Sequence, residues 1–195
     1  MLVSWLAAAT SRGELVALVD PLDMFDPVSA AAHGVALSRM LWVRGCAAGP
    51  DRTSLPREVG EASVQVERAV KALNLILQAS GFGLVVLDFG EIPPPVLGRL
   101  PFTTWRRLHR VIEGGETACV VVAGAPVARS VGGITVSLTA PSTPDVERAT
   151  PRDVGFSAPG GGAIRLFPAL TVNGRVVHSR GWGSGVIPEN LKLKI

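Results

Sequence analysis

Two segments of this chain are apolar at every position until they end in a carboxylate. Leu15-Val-Ala-Leu-Val19 runs into Asp20, and Leu84-Val-Val-Leu87 runs into Asp88. A short, unbroken apolar run fits a strand covered on both faces, as the central strands of parallel sheets are. Ala118 to Ala123 is a third such run, and Arg39-Met-Leu-Trp-Val-Arg44 reads as a fourth strand. Between the strands the pattern turns helical. Leu2 to Thr10 predicts a helix stopped by Ser11-Arg12-Gly13. Asp26-Pro27 starts a short helix through Ala32, with Asp26 as its N-cap and Gly34 closing it. Glu58 to Ala79 is the longest helical pattern, with Val64, Val66, Val70, Leu73, Leu75, Ile76 and Leu77 on a broad apolar face. Pro93-Pro-Pro95 reads as loop, and Trp105 to Glu113 as a helix capped by Thr103 or Thr104 and closed by Gly114-Gly115.

Helices alternating with strands imply right-handed crossovers and a mostly parallel sheet with helices on both faces. The pattern changes after Ala125. Ile134-Thr-Val-Ser-Leu138 alternates, and Thr139 to Gly162 is a loop-like stretch rich in Pro, Gly and Ser. Ile164 to Val172 and Arg175 to Ser179 flank Asn173-Gly174, which predicts a hairpin with a tight type I′ turn. Leu191 to Ile195 alternates like an edge strand guarded by Lys192 and Lys194. The expected organisation is an α/β core over 1–138, with a loop-rich β-hairpin extension over 139–195 packed on the same domain.

Composition narrows the classes. A length of 195 residues supports one domain, and 47% apolar content fits a sheet covered on both faces. A net charge of +3 permits an acidic partner without demanding one. Cys46 and Cys119 are too few for a disulfide scaffold and lack metal-ligand spacing, so no metal or other cofactor is expected. Leu2 to Ala9 is too short for a membrane span and has no basic lead-in of the secretory kind. A cytoplasmic protein without a membrane partner is expected.

Candidate chemistry begins with the two strand-end carboxylates. Ligands of parallel α/β sheets bind at the carboxyl ends of the strands. Asp88 stands where a nucleotide-binding fold would hold Mg²⁺, and Asp20, Asp23 and Asp26 cluster after the first strand. The phosphate loop G-x-x-x-x-G-K-[ST] is missing, because none of the three lysines, Lys71, Lys192 and Lys194, follows a glycine. A second candidate is basic. Arg106 and Arg110 lie four apart on one helical face, with Arg107 and Arg99 nearby; such a group contacts phosphates or an acidic partner, or simply forms a solvated face. Trp182, set between glycines, suits base stacking or partner anchoring, or packing over the hairpin.

The stretch Trp5 to Asp20, followed by Asp23-Met-Phe-Asp26-Pro27, resembles bacterial RecA just after its phosphate loop, and Phe82 to Asp88 resembles the Mg²⁺-associated strand of that superfamily. Leu41-Trp-Val-Arg44 and Leu100-Pro-Phe-Thr-Thr-Trp-Arg-Arg-Leu108 are similar to segments of the ImuA family, RecA-like accessory proteins of a mutagenic translesion-synthesis cassette. The resemblance covers roughly residues 2 to 138. It implies a RecA-like fold with a twisted, mostly parallel sheet, and vestigial nucleotide or Mg²⁺ positions at Asp20 and Asp88. The implied partners are a RecA-type recombinase or a translesion polymerase subunit, with single-stranded DNA contact through Arg99, Arg106, Arg107, Arg110 or Trp182. The family's catalytic glutamate falls on Leu22, which can neither take a proton nor orient water, so a non-catalytic accessory factor of DNA repair in the SOS response is expected. Two alternatives stand beside it: a SulA-like cell-division inhibitor, and a RecA-type ATPase whose phosphate loop lies before Met1.

Overall fold

The computed structural model describes residues 1–45, 59–128, 133–139, 171–180 and 190–194. The chain divides into two compact units, Met1–Val131 and Gly132–Ile195.

In the first unit the apolar runs become strands β1 (Val16–Asp20), β2 (Met40–Arg44), β3 (Leu84–Phe89) and β4 (Ala118–Ala123). All pair in parallel, in the order β2-β1-β3-β4. Alternation along each strand sends neighbouring side chains to opposite faces. Ala17 and Val19 of β1, with Val85, Leu87 and Phe89 of β3, pack beneath α3 (Val59–Ala79), α4 (Pro94–Leu97) and α5 (Phe102–Ile112). Val16, Leu18, Leu84 and Val86 face the other way, against Leu6 and Ala9 of α1 (Leu2–Ser11) and Ala30 of α2 (Pro27–Ala32). The sheet is therefore flanked by helices on both faces, as the sequence pattern predicts. Only the central strands are fully covered. β1 is buried along its whole length, whereas β4, at the edge of the described sheet, is half-covered. Burial still pushes the Cys119 thiol of β4 up to about 11, which keeps it protonated at neutral pH.

Local chemistry fixes the element ends. Asp26 accepts from the amides of Val28 and Ser29, both at 3.1 Å, and from the Ser29 hydroxyl, capping α2 as expected. Thr10 hydroxyl donates to Leu6 O at 2.8 Å and accepts from Ala36 N, tying the approach to β2 onto α1. Two helix boundaries differ from expectation. α5 begins at Phe102 behind Pro101, so Thr103 and Thr104 lie inside the helix and neither caps it. Pro93-Pro-Pro95 is not all loop: Pro94 opens the one-turn helix α4, since a proline at the first helical position sacrifices no hydrogen bond.

The second unit is an antiparallel sheet of β5 (Gly133–Thr139), β6 (Thr171–Arg180) and β7 (Asn190–Lys194), in the order β5-β6-β7. β5 pairs with β6 along the length of β5. The expected turn at Asn173-Gly174 is corrected. Both residues lie inside β6, where Asn173 pairs with Thr139 on one side and Lys192 on the other. A strand flanked on both sides gains two ladders of backbone hydrogen bonds, and these outweigh the local turn preference of the dipeptide. The alternating segment from Leu191 forms the edge strand β7, as predicted.

Candidate functional site

The register of β1 and β3 runs from Val16↔Leu84 to Val19↔Leu87, which brings Asp20 and Asp88 side by side at the carboxyl end of the sheet. The strand alternation places both on the α1–α2 face. The two carboxylates have different surroundings.

Asp20 is only 2% exposed. Its Oδ1 accepts from Met24 N at 3.1 Å, and its Oδ2 accepts from Phe25 N at 2.9 Å and from Trp42 Nε1 at 3.3 Å. The loop after β1 is thus folded around the carboxylate that precedes it. A second clasp holds the same loop from outside. Asp23 sits at φ 57°, a left-handed conformation that aspartate tolerates better than most residues, and turns its carboxylate to Arg44. The contact is bidentate, with both N···O distances 2.6 Å. Arg44 also lies 4.4 Å over the Trp42 ring, and the Phe25 ring meets Trp42 edge-on at 5.3 Å. Gly45 closes the arrangement, its amide donating to Asp20 O at 2.7 Å.

Asp88 is half-buried, and its Oδ1 accepts from Gly90 N at 2.9 Å. Burial raises its pKa above the ordinary carboxylate value; the Gly90 bond opposes the rise, and the charges of Asp20 and Glu91 add to it. A carboxyl raised in the folded state stabilises the fold below its unfolded pKa, and that stabilisation is lost as pH climbs through the raised value. Asp88→Asn, which keeps an oxygen for Gly90, is therefore expected to raise the thermal midpoint at pH 7. The gain should vanish below about pH 4, where Asp88 is protonated in both states. Differential scanning calorimetry from pH 3 to 8 checks this; a midpoint lowered at pH 7 would mean that the Asp88 charge supports the fold.

Among the described residues no group of three His, Cys, Asp or Glu side chains is arranged to hold a metal ion. Leu22, at the position the resemblance assigns to a catalytic glutamate, packs against the core beneath α3 and α5.

The basic candidates occupy a different part of the unit. Trp105 and Leu108 of α5 are buried, and Arg106, Arg107 and Arg110 stand exposed on the opposite side of the helix. Among the described residues none of the three has an ion-pair partner, nor does Arg99, which is also exposed. Trp182 lies outside the described residues. Sequence reading missed Phe25, Trp42, Arg44 and Gly45 as partners of the aspartate loop. The available signal was the placement of Arg44 at the end of the strand that follows that loop. No helix of the described residues is long and apolar enough to cross a membrane. No family model matches the chain, and no curated protein matches it.

Proposed function

We propose that this chain is a non-catalytic, RecA-like accessory factor of DNA-damage-induced translesion synthesis, binding a RecA-type recombinase or an error-prone polymerase. The observation that carries the reading is the arginine ridge on α5. Arg106, Arg107 and Arg110 are exposed, make no ion pair among the described residues, and stand on a helix anchored by buried Trp105 and Leu108. Unpaired guanidinium groups on a fixed helix suit an acidic protein surface or a phosphate backbone. The motif resemblance over residues 2 to 138 supplies the class of partner. The engagement of Asp20 with three N–H donors favours a structural role for that carboxylate over one in nucleotide hydrolysis.

Affinity capture of the tagged chain from DNA-damaged cells, with bound proteins identified by mass spectrometry, tests the reading. Recovery of a recombinase or an error-prone polymerase is expected. The Arg106→Glu/Arg107→Glu/Arg110→Glu variant should recover at least about tenfold less, which corresponds to some 1.4 kcal/mol of binding. Capture of division proteins in their place would overturn the proposal in favour of a SulA-like inhibitor. Equal capture by the variant would remove the ridge from the interface.

A further inference from the structure

Beside the arginine ridge, α3 and the α4–α5 segment leave an open groove of about 240 Å³. Its walls are apolar: Val66 and Val96 are buried within it, and Val70 and Leu100 are half-buried. Two cations line it, Lys71 from α3 and Arg99 from the turn after α4, together with one carboxylate, Glu67 of α3, so the rim keeps a net positive charge. Both are exposed, and neither makes an ion pair among the described residues; even Glu67, one turn before Lys71 on the same helix, is not joined to it. The charge of the whole helical layer leans the same way. α3 together with residues 94–113 carries six cations, Arg68, Lys71, Arg99, Arg106, Arg107 and Arg110, against the carboxylates of Glu61, Glu67 and Glu113.

We infer that this groove takes a short acidic peptide of a partner protein. One apolar side chain rests on the half-buried Val70 and Leu100, above buried Val66 and Val96, and a flanking carboxylate lies between Lys71 and Arg99. The inference rests on the reading of the chain as a partner-binding factor and names the chemistry of one contact. An apolar trough flanked by unpaired cations complements a peptide with alternating carboxylates and aliphatic or aromatic groups. A nucleic-acid backbone would use the cations and leave the apolar walls exposed to water.

The test is fluorescence anisotropy of a labelled decapeptide, with Asp and Glu flanking a central Leu-Phe pair, titrated with the full chain. Saturable binding is expected. Lys71→Glu/Arg99→Glu, at exposed positions outside the core, should weaken it at least about tenfold with the circular dichroism spectrum unchanged. Val70→Trp, which fills the groove without touching its charges, should weaken it similarly. A control peptide with Ala-Ala in place of Leu-Phe should not bind. Absence of saturable binding would overturn the inference. So would binding indifferent to both variants, or full displacement by oligothymidylate. If the peptide fails while the chain still captures a recombinase or polymerase, the groove is wrong and the accessory reading stands. If the peptide binds and neither partner is captured, the groove stands and the accessory reading falls.

Discussion

Replacing Asp20 with alanine is expected to destabilise the α/β unit by about 3–4 kcal/mol, because three N–H donors lose their acceptor and each stranded donor costs about 1–3 kcal/mol before water repairs part of the loss. The donors are Met24 N, Phe25 N and Trp42 Nε1, and the carboxylate they share is almost wholly buried. The expected readout is local as well as global. Amide hydrogen exchange at Met24 and Phe25 should accelerate, and the denaturant midpoint should fall. A carboxylate serving only as a ligand position would behave oppositely. Its removal would leave stability unchanged, or raise it by relieving the repulsion with neighbouring Asp88. An Asp20→Ala protein with an unchanged midpoint would therefore return Asp20 to the list of ligand candidates.

Gly45→Ala is expected to cost about 3 kcal/mol or more, although it adds one methyl group. A β-carbon at this position collides with the carbonyl carbon and oxygen of Pro21. These are backbone atoms, and no side-chain rotation relieves the overlap. The two strands must separate at the point where the Gly45 amide donates to Asp20 O. The effect should propagate into the loop, loosening the contact of Arg44 with Asp23. Gly60→Ala provides the contrast. Gly60 lies in α3, and among the described residues a β-carbon there meets nothing within 4 Å. Alanine should stabilise that helix by about 0.5–1 kcal/mol. Urea denaturation of the two variants beside the parent should move the midpoints in opposite directions, and a shared direction would refute the steric account.

Much of the first unit is legible in the sequence because its signals are local and agree with one another. An apolar run with one terminal carboxylate specifies a buried strand, and Asp26-Pro27 specifies both a cap and a first helical turn. The strand order is not legible in this way. Nothing in the residues of β1 alone says that it lies between β2 and β3. The role of Asp20 is hidden for the same reason, since its partner Trp42 is distant in sequence and reaches it only through the parallel register of β1 and β2. The carboxylate was legible as a candidate from its position, but its hydrogen bonds were not. Asn173-Gly174 shows the opposite error, a strong local preference overridden by pairing on both sides. The arginine ridge was legible because a helical period needs no tertiary information. The groove was not, because its two cations come from segments that meet only in the folded unit.

The placement of β1 between β2 and β3 also bears on how the chain is made. Val16 pairs with Leu84, so a nascent chain must lengthen by roughly 70 residues before β1 gains its second neighbour, a delay of roughly 3–14 seconds at ordinary elongation rates. During that interval α3 is also incomplete, and the apolar face that Ala17 and Val19 will bury remains open. The half-made sheet, with an open apolar face and an unpaired strand edge, is thus expected to be prone to aggregation. A ribosome-associated holdase acting before Phe89 emerges should protect its yield more than any factor supplied after release.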